Sequence, residues 1–336
     1  MKRAFLCYGL EMSFFLRARV VAPLLVLGLV ATWTFAAFKT PEAGERSRAV
    51  GSLVGMEKSL RKAFVAGDDF EAKKEPGFAD WLAQHEETGQ TFDQYVQAKP
   101  NRPGLGGRST LYLLPLGEFA EEVSPDLEVL KRHMTLYYAP MSVKILPMIP
   151  EQKVPVSSRE NSMTNRKQWH TGEMLRWLKS QLPRDAYGLL AVTMTDLYPG
   201  ENWNFVFGQA TYKNRVGVFS FARFHPQLGF GDAEQEDADF VALRRACKVL
   251  THEMGHMFGI KHCIYYECNM NGANSLPEMD STPMHLCPVC LRKLQSVVGF
   301  DPVGRYEELE GFYQKEKFEK ELQWVKGRVE FVKEDE

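Results

Sequence analysis

The stretch that most constrains this chain begins at residue 252, with the string His-Glu-Met-Gly-His-Met-Phe-Gly-Ile-Lys-His. Histidines four residues apart on a helix project from the same face, so His252 and His256 can hold one zinc ion. Glu253, beside the first histidine, is then within reach of a water molecule on that ion. This spacing predicts a helix that carries a metal site on one face.

A glycine after the second histidine can end this helix and return a third ligand. Gly259 can adopt the left-handed conformation common at helix ends, which predicts that the chain turns back and brings His262 to the same ion. Three neutral imidazoles leave the fourth tetrahedral position to water, as in a catalytic zinc site. The full HExxHxxGxxH string therefore predicts a zinc peptidase. The alternative is a degenerate or purely structural metal site.

The rest of the predicted helix has the pattern of a helix between a core and a cleft. Apolar residues recur at helical spacing on the side opposite His252 and His256. They are Phe240, Leu243, Cys247, Leu250, Met254 and Met257. We expect this side to pack into the core while the histidines face a cleft.

Four cysteines follow the third histidine and form a second constellation. Cys263, Cys268, Cys287 and Cys290 match the grouping of a closed, structural zinc site, and the last two form a Cys-Pro-Val-Cys knuckle. The alternative is two disulfides, although CxxC knuckles inside cells more often bind metal. Because Cys263 directly follows His262, the two metal sites would share a loop. Loss of the structural ion should then disturb the catalytic one.

These residues resemble a known family, the archaemetzincins, metzincin-type peptidases that add a four-cysteine zinc site to the three-histidine one. The similar segments are HEMGHMFGIKHC at 252–263, CNM at 268–270 and CPVC at 287–290, together with upstream segments at 194–198, 206–210 and 216–223. The resemblance covers roughly residues 109–305. The segments upstream of this range are not covered by it.

The resemblance implies an α/β, metzincin-like fold with a mixed sheet, an active-site helix and a cysteine-bound zinc subdomain. It implies two Zn²⁺ ions, a catalytic one on His252, His256 and His262 and a structural one on the four cysteines. Glu253 would be the catalytic base. Met270 would lie where such enzymes place a methionine beneath the metal, the alternative being an ordinary buried methionine.

Composition restricts the class of partner. The chain has 336 residues, 44% of them hydrophobic, with 41 basic and 43 acidic residues and a net charge of −2. It can bury a full core, and nothing in this balance favours nucleic acid. The predicted partner is a peptide or protein substrate, and the sequence makes no prediction of oligomeric state. Four of the six cysteines fall in the zinc constellation, which suits a reducing compartment.

An apolar run from Val20 to Phe38 leaves localisation open. It is uncharged, preceded by Arg17 and Arg19, and long enough for a signal peptide core, a signal anchor or a marginal membrane span. The alternative is an apolar arm that packs on the domain. The chain is accordingly expected to be cytoplasmic, or membrane-anchored or secretory if residues 20–38 act as a signal or anchor.

Composition along the chain predicts four segments. Segment Asn101–Gly107 is rich in glycine and proline, which disfavour both helix and strand, and is predicted to be a linker. The predicted segments are a targeting or anchor segment at 1–40, an N-terminal extension and linker at 41–107, a zinc metallopeptidase domain at 108–305 and a charged tail at 306–336. One amphipathic helix is expected in the tail.

Within the predicted domain, strands alternate with helices, which indicates an α/β layer arrangement. Strands are expected at 110–114, 143–146 and 187–195, and helices from Ser124-Pro125 to Tyr138 and over 171–182. Segments 204–210 and 216–222 flank a hairpin turn. A strand there, at the sheet edge beside the zinc helix, would let an extended peptide pair with it, the alternative being two core strands.

The expected reaction is peptide hydrolysis. Zinc lowers the pKa of its water toward ~7, and Glu253 acts as general base. Tyr265 or Tyr266 is a weaker candidate for stabilising the oxyanion, and His170 and His285 are weaker candidates for assisting. Two other classes compete with this hypothesis. One is a non-catalytic zinc-stabilised protein-binding module, against which the intact glutamate argues, and the other is a membrane-tethered interaction protein.

Overall fold

The computed structural model describes residues 38–229 and 238–334. These residues form one compact unit. The predicted targeting or anchor segment lies outside the described residues except for its last three positions. Among the described residues, no helix combines the length and the apolar character that crossing a bilayer requires.

In the described residues, four α-helices precede the strands, two lie among them and five follow them. The strands are β1 (Thr110–Leu116), β2 (Ser142–Ile145), β3 (Ser158–Glu160), β4 (Lys167–His170), β5 (Ala186–Thr193), β6 (Asp196–Tyr198), β7 (Gly208–Ala210) and β8 (Val216–Ser220). The helices are α1 (Ala43–Val50), α2 (Lys58–Ala63), α3 (Trp81–Gln84), α4 (Phe92–Gln97), α5 (Leu127–Tyr137), α6 (Thr171–Gln181), α7 (Ala238–Met257), α8 (Leu276–Ser281), α9 (Pro288–Val298), α10 (Pro302–Lys315) and α11 (Glu319–Lys333).

The central sheet has five strands in the order β2-β1-β5-β8-β7. Strands β2, β1, β5 and β8 run parallel, with Leu189 of β5 paired to Val216 of β8. Strand β7 runs antiparallel to β8 at the sheet edge, with Gly208 paired to Phe219. A smaller sheet has the order β3-β4-β6. This confirms the predicted α/β class with a mixed sheet, and also the predicted hairpin.

Both faces of the central sheet are covered, as expected for parallel strands linked by helices. Because side chains alternate along a strand, Leu111 and Leu113 of β1 join the core formed with α5 and α7. Leu114 and Leu116 join the opposite core, formed with α6. Helix α7 therefore lies beneath β5, β8 and β7, which places its cleft-facing side next to the edge strand.

Two predicted elements differ from the structure. Helix α5 begins at Leu127, and its cap is Asp126 rather than Ser124, because the Asp126 carboxylate accepts the amide N–H groups of Glu128 and Val129. The tail holds two helices rather than the single predicted one. The chain reverses between α10 and α11, where Lys317 has a φ of +59°.

The N-terminal extension packs on the back of the cysteine region. Arg292 of α9 donates to the carbonyl oxygens of Val50 and Ser52, and Ala72 forms a bridge with Tyr266. Helices α1 and α4 both contact α9. The division of the chain into an extension, a peptidase domain and a tail stays a prediction.

Candidate metal centre

Helix α7 and the turn that follows it bring three histidines together. One ring nitrogen from each of His252, His256 and His262 lies within 4.8 Å of the others, and the Nε2 atoms of His252 and His256 are 3.0 Å apart. Gly259 has a φ of +82°, and its N–H donates to the carbonyl of His256 at 2.8 Å. The predicted left-handed turn is therefore present, and it delivers His262 to the helical pair.

Each imidazole is held by its other nitrogen. The Nδ1 of His252 donates to the carbonyl oxygen of Asn269 at 2.7 Å, and the Nδ1 of His256 to that of Ile260 at 2.7 Å. The Nδ1 of His262 lies 2.7 Å from a carboxylate oxygen of Glu87. Since these oxygens can only accept, the protons reside on Nδ1 and the lone pairs are left on the Nε2 atoms.

Burial also favours the neutral form of the two helical histidines. Burial lowers the pKa of His252 to about 3 and lowers that of His256 well below its usual range, and the neighbouring histidines act in the same direction. Neutral imidazoles with oriented Nε2 lone pairs are the donor set that zinc accepts. The three histidines fit a zinc ion in this structure.

Glu253 lies beside this group. It is 5% exposed, and burial raises its pKa to about 8. Its Oε2 has no hydrogen-bond partner within the described part of the chain. Strand β7 approaches it closely, because a Cβ at Gly208 would lie 2.5 Å from Oε1 of Glu253. A buried carboxylate with an open oxygen beside a metal site is suited to exchange protons with a bound substrate or water.

The histidines and Glu253 open into a cleft of about 610 Å³. Its walls come from β7, the segment before it, α7 and the loop after Met270. Aromatic side chains dominate one part of the wall, and they are Trp81, Trp203, Phe205, Phe207 and Tyr212. All three residues of β7 also line the cleft.

The four cysteines also converge. Their sulfurs all lie within 4.8 Å of one another, with Cys263 and Cys287 3.6 Å apart, and none is in a disulfide. A disulfide requires about 2.05 Å, whereas the edge of a tetrahedron with Zn–S bonds of about 2.3 Å is about 3.8 Å. The sulfurs therefore fit a tetrahedral zinc ion, and the alternative of two disulfides does not match this geometry.

Without compensation, four buried thiols do not ionise easily. Burial raises the pKa of Cys268 and of Cys287 well above the usual value. Burial also opposes ionisation of Cys263, but hydrogen bonds from the other three thiols outweigh it and lower the pKa of Cys263. Binding of a metal ion by these cysteines would therefore release protons.

A short loop joins the two clusters. The N–H of Cys263 donates to the carbonyl of Met270 at 2.8 Å, and the Asn271 side chain donates to the carbonyl of Cys263 at 2.7 Å. Met270 is fully buried, and its Sδ lies 2.6 Å from where a Cβ at Gly255 would be. Met270 thus lies directly under the turn of α7 between the two histidines.

Some candidate residues have other roles. His170 caps α6 by accepting the N–H of Glu173, and His285 stacks on Trp324 with ring centroids 3.7 Å apart. Tyr265 lies near the four cysteines. Burial, followed by the adjacent thiols, raises the pKa of Tyr265 to about 12.

Sequence reasoning missed several residues that reach the cleft or its histidines. Tyr212 lies 5.5 Å from the ring of His256, and burial raises its pKa to about 12. Trp81 and Glu87 come from the N-terminal extension, and Trp203 from the loop before β7. No local pattern distinguishes these residues, since long-range packing alone brings them to the site.

Comparison with known proteins is consistent with this site. The model of Peptidase family M54 matches residues 170–296. Archaemetzincin-2 of Pongo abelii is 36% identical over 255 residues, which cover 69% of this chain and 71% of that protein. The chain belongs to the archaemetzincin family. Archaemetzincin-1 of Homo sapiens is 34% identical over 254 residues, covering 68% of this chain and 51% of that protein.

This archaemetzincin is a zinc metallopeptidase and so acts on peptides or proteins. The alternative of a non-catalytic zinc-binding module is set aside. Solved archaemetzincins are also similar to parts of it. The Archaeoglobus fulgidus protein is 28% identical with a TM-score of 0.41, covering 55% of this chain and 99% of that one. The Methanopyrus kandleri protein is 27% identical with a TM-score of 0.43, covering 58% and 98%.

Proposed function

We propose that His252, His256 and His262 hold a catalytic zinc ion and that Glu253 is the general base for peptide hydrolysis. The four cysteines hold a second, structural zinc ion. The zinc at the histidines, when bound, supplies a Lewis acid that polarises a carbonyl and lowers the pKa of water. The single observation that carries this proposal is the convergence of one ring nitrogen from each histidine, all within 4.8 Å of one another, beside Glu253 with its unpaired carboxylate oxygen.

Glu253 performs the proton transfers. Its carboxylate accepts a proton from the attacking water and returns that proton to the leaving amine. Burial raises its pKa to about 8, so the group can hold and release a proton near neutral pH. Gly208 keeps β7 clear of this carboxylate, because a larger residue there would contact Oε1.

The substrate is bound as an extended strand along β7. This strand is the sheet edge, and its three residues line the cleft beside Glu253. An edge strand presents unpaired N–H and C=O groups with which a peptide backbone can pair. Main-chain pairing would hold the scissile bond over α7 while side chains enter the aromatic part of the cleft.

Digestion of a peptide library, read by mass spectrometry with and without a chelator, tests this function. The zinc-loaded protein should cleave peptides and lose this activity with the chelator. The Glu253→Gln variant should keep its zinc and lose about 10²-fold or more in kcat, since general base catalysis contributes this much. Cleavage by the variant at the parental rate would contradict the role of Glu253.

A further inference from the structure

We propose that Glu87, in the N-terminal extension, is a positioning residue for the catalytic metal, which it serves by fixing the ring of His262. This inference rests on the proposed function. Glu87 lies outside residues 170–296, which the family model matches. The metal centre would then depend on a part of the chain about 175 positions away from the third histidine.

The contact is specific in its geometry. One carboxylate oxygen of Glu87 lies 2.7 Å from Nδ1 of His262 and also accepts the indole N–H of Trp81 at 3.1 Å. The Glu87 and His262 side chains are 23% and 17% exposed, so water competes little for this hydrogen bond. The Trp81 ring stands edge-on to the His262 ring, 5.0 Å away. The imidazole is therefore fixed both in its plane and in its tautomer.

The third histidine needs this help more than the other two. His252 and His256 are on α7, and main-chain carbonyls of nearby segments accept their Nδ1 protons. His262 lies beyond the helix end, in residues 260–264, which form no regular secondary structure. A carboxylate that accepts from a metal-binding histidine also increases the basicity of its free nitrogen, which strengthens the bond to the metal.

The same extension holds the loop that carries His262. The Tyr95 hydroxyl donates to the carbonyl of Phe258 at 2.8 Å. The Gln90 side chain donates to the carbonyl of Gly259 and accepts the N–H of Lys261, each at 3.2 Å. Residues 87, 90 and 95 of one segment therefore contact residues 258–262 of the other. A carboxylate placed in this way cannot drift from the histidine without the loop moving as well.

The test measures zinc affinity by competition with a chromophoric chelator, and it also records kcat and KM. Glu87→Ala should lower the affinity for one of the two zinc ions, the one at the histidines, by about 10- to 100-fold. This is the usual effect of losing a hydrogen-bond partner of a metal-binding histidine. Glu87→Gln keeps an acceptor oxygen but no charge, so it should recover part of the affinity. The neighbouring exposed residue gives the matched control, because Glu86→Ala should bind zinc like the parent.

Two further measurements keep the outcomes distinct. At a zinc concentration that fills both sites, Glu87→Ala should melt within about 2 °C of the parent, which would exclude general unfolding. If Glu87→Ala binds both zinc ions as tightly as the parent while His262→Ala loses one, this inference is overturned and the proposed function stands. If His262→Ala also keeps both ions at parental affinity, the proposed metal site itself is wrong.

Discussion

At the scale of single residues, two enclosed titratable groups serve different purposes. Glu253 faces the cleft, and burial raises its pKa to about 8. His133 lies in the core. It is 0% exposed, packs 5.0 Å from the Phe312 ring, and its ring nitrogens have no hydrogen-bond partner in residues 38–229 and 238–334. Burial, followed by the charge of Arg305, lowers its pKa to about 3.

His133 should make the fold sensitive to acid. Between pH 6.5 and about 3 the unfolded chain binds a proton at this histidine that the folded chain does not, so stability falls as the pH falls. At pH 5 this costs about 2 kcal/mol. His133→Phe, which keeps an aromatic ring among Tyr137 and Phe312, should remove that cost. Urea unfolding at pH 7.5 and pH 5, at fixed zinc, measures the difference, and parallel pH profiles of parent and variant would refute the prediction.

At the scale of elements, β7 is the part of the fold that the proposed reaction uses most directly. A Cβ at Gly208 would lie 2.5 Å from Oε1 and 2.8 Å from Cδ of Glu253, and also 2.8 Å from Cβ of Phe219. Either the strand or the carboxylate must shift. A misplacement of about 1 Å in a reacting group can lower the rate about a hundredfold.

Gly208→Ala should therefore lower kcat by about 10²-fold without loss of zinc. The control is Gly200→Ala, in the loop before β7, where a Cβ would meet no atom within 4 Å. Steady-state kinetics and zinc analysis on both variants check the prediction. A parental kcat for Gly208→Ala would mean that this carboxylate does not need its present position.

The loop that joins the three histidines to the four cysteines leads to a second prediction at this scale. Replacing Cys287 with serine should release the structural zinc and, through Cys263 and the adjacent His262, lower peptidase activity by about tenfold or more. Cys247→Ser is the matched control, because Cys247 is a buried free thiol on α7 outside the cysteine cluster. Unchanged zinc content and activity in Cys287→Ser would remove the coupling of the two sites.

The sequence predicted these elements well where the signal is local. The histidine spacing, Gly259 and the apolar face of α7 together predicted the helix, its end and its orientation, and buried β-branched and leucine-rich runs predicted β1 and β5. Helix α5 was misplaced at its start because Ser124 and Asp126 are both good caps, and packing decides between them. The break in the tail was missed because no glycine or proline marks Lys317.

At the scale of the whole molecule, the N-terminal extension packs against the C-terminal helix α11. Arg328 of α11 is fully buried and donates to the carbonyls of Ala63 and Val65 at 3.0 and 2.8 Å. It also pairs with Asp69 at 3.3 Å. The extension in turn brings Trp81 to the cleft and Glu87 to His262. Sequence alone could not place these residues, because their contacts join positions far apart in the chain and follow no periodic pattern.

Arg328→Met should thus lower the free energy of unfolding by about 3 kcal/mol or more, since the carbonyls of Ala63 and Val65 and the carboxylate of Asp69 lose their buried partner. Lys326→Met on the same helix is the control. Its pair with Glu310 at 3.9 Å is partly exposed, so its removal should cost less than about 1 kcal/mol. Urea unfolding of the zinc-loaded proteins measures both, and equal effects would contradict a role for Arg328 in joining the two ends.

The central claim is that three imidazoles hold a zinc ion separate from the one among the sulfurs. Zinc per chain, measured by atomic emission on the purified parent and on a His252→Ala, His256→Ala double variant, tests it most directly. The parent should contain two equivalents, and the variant one equivalent with no peptidase activity. A parent with a single equivalent that the histidine replacements leave unchanged would contradict the claim.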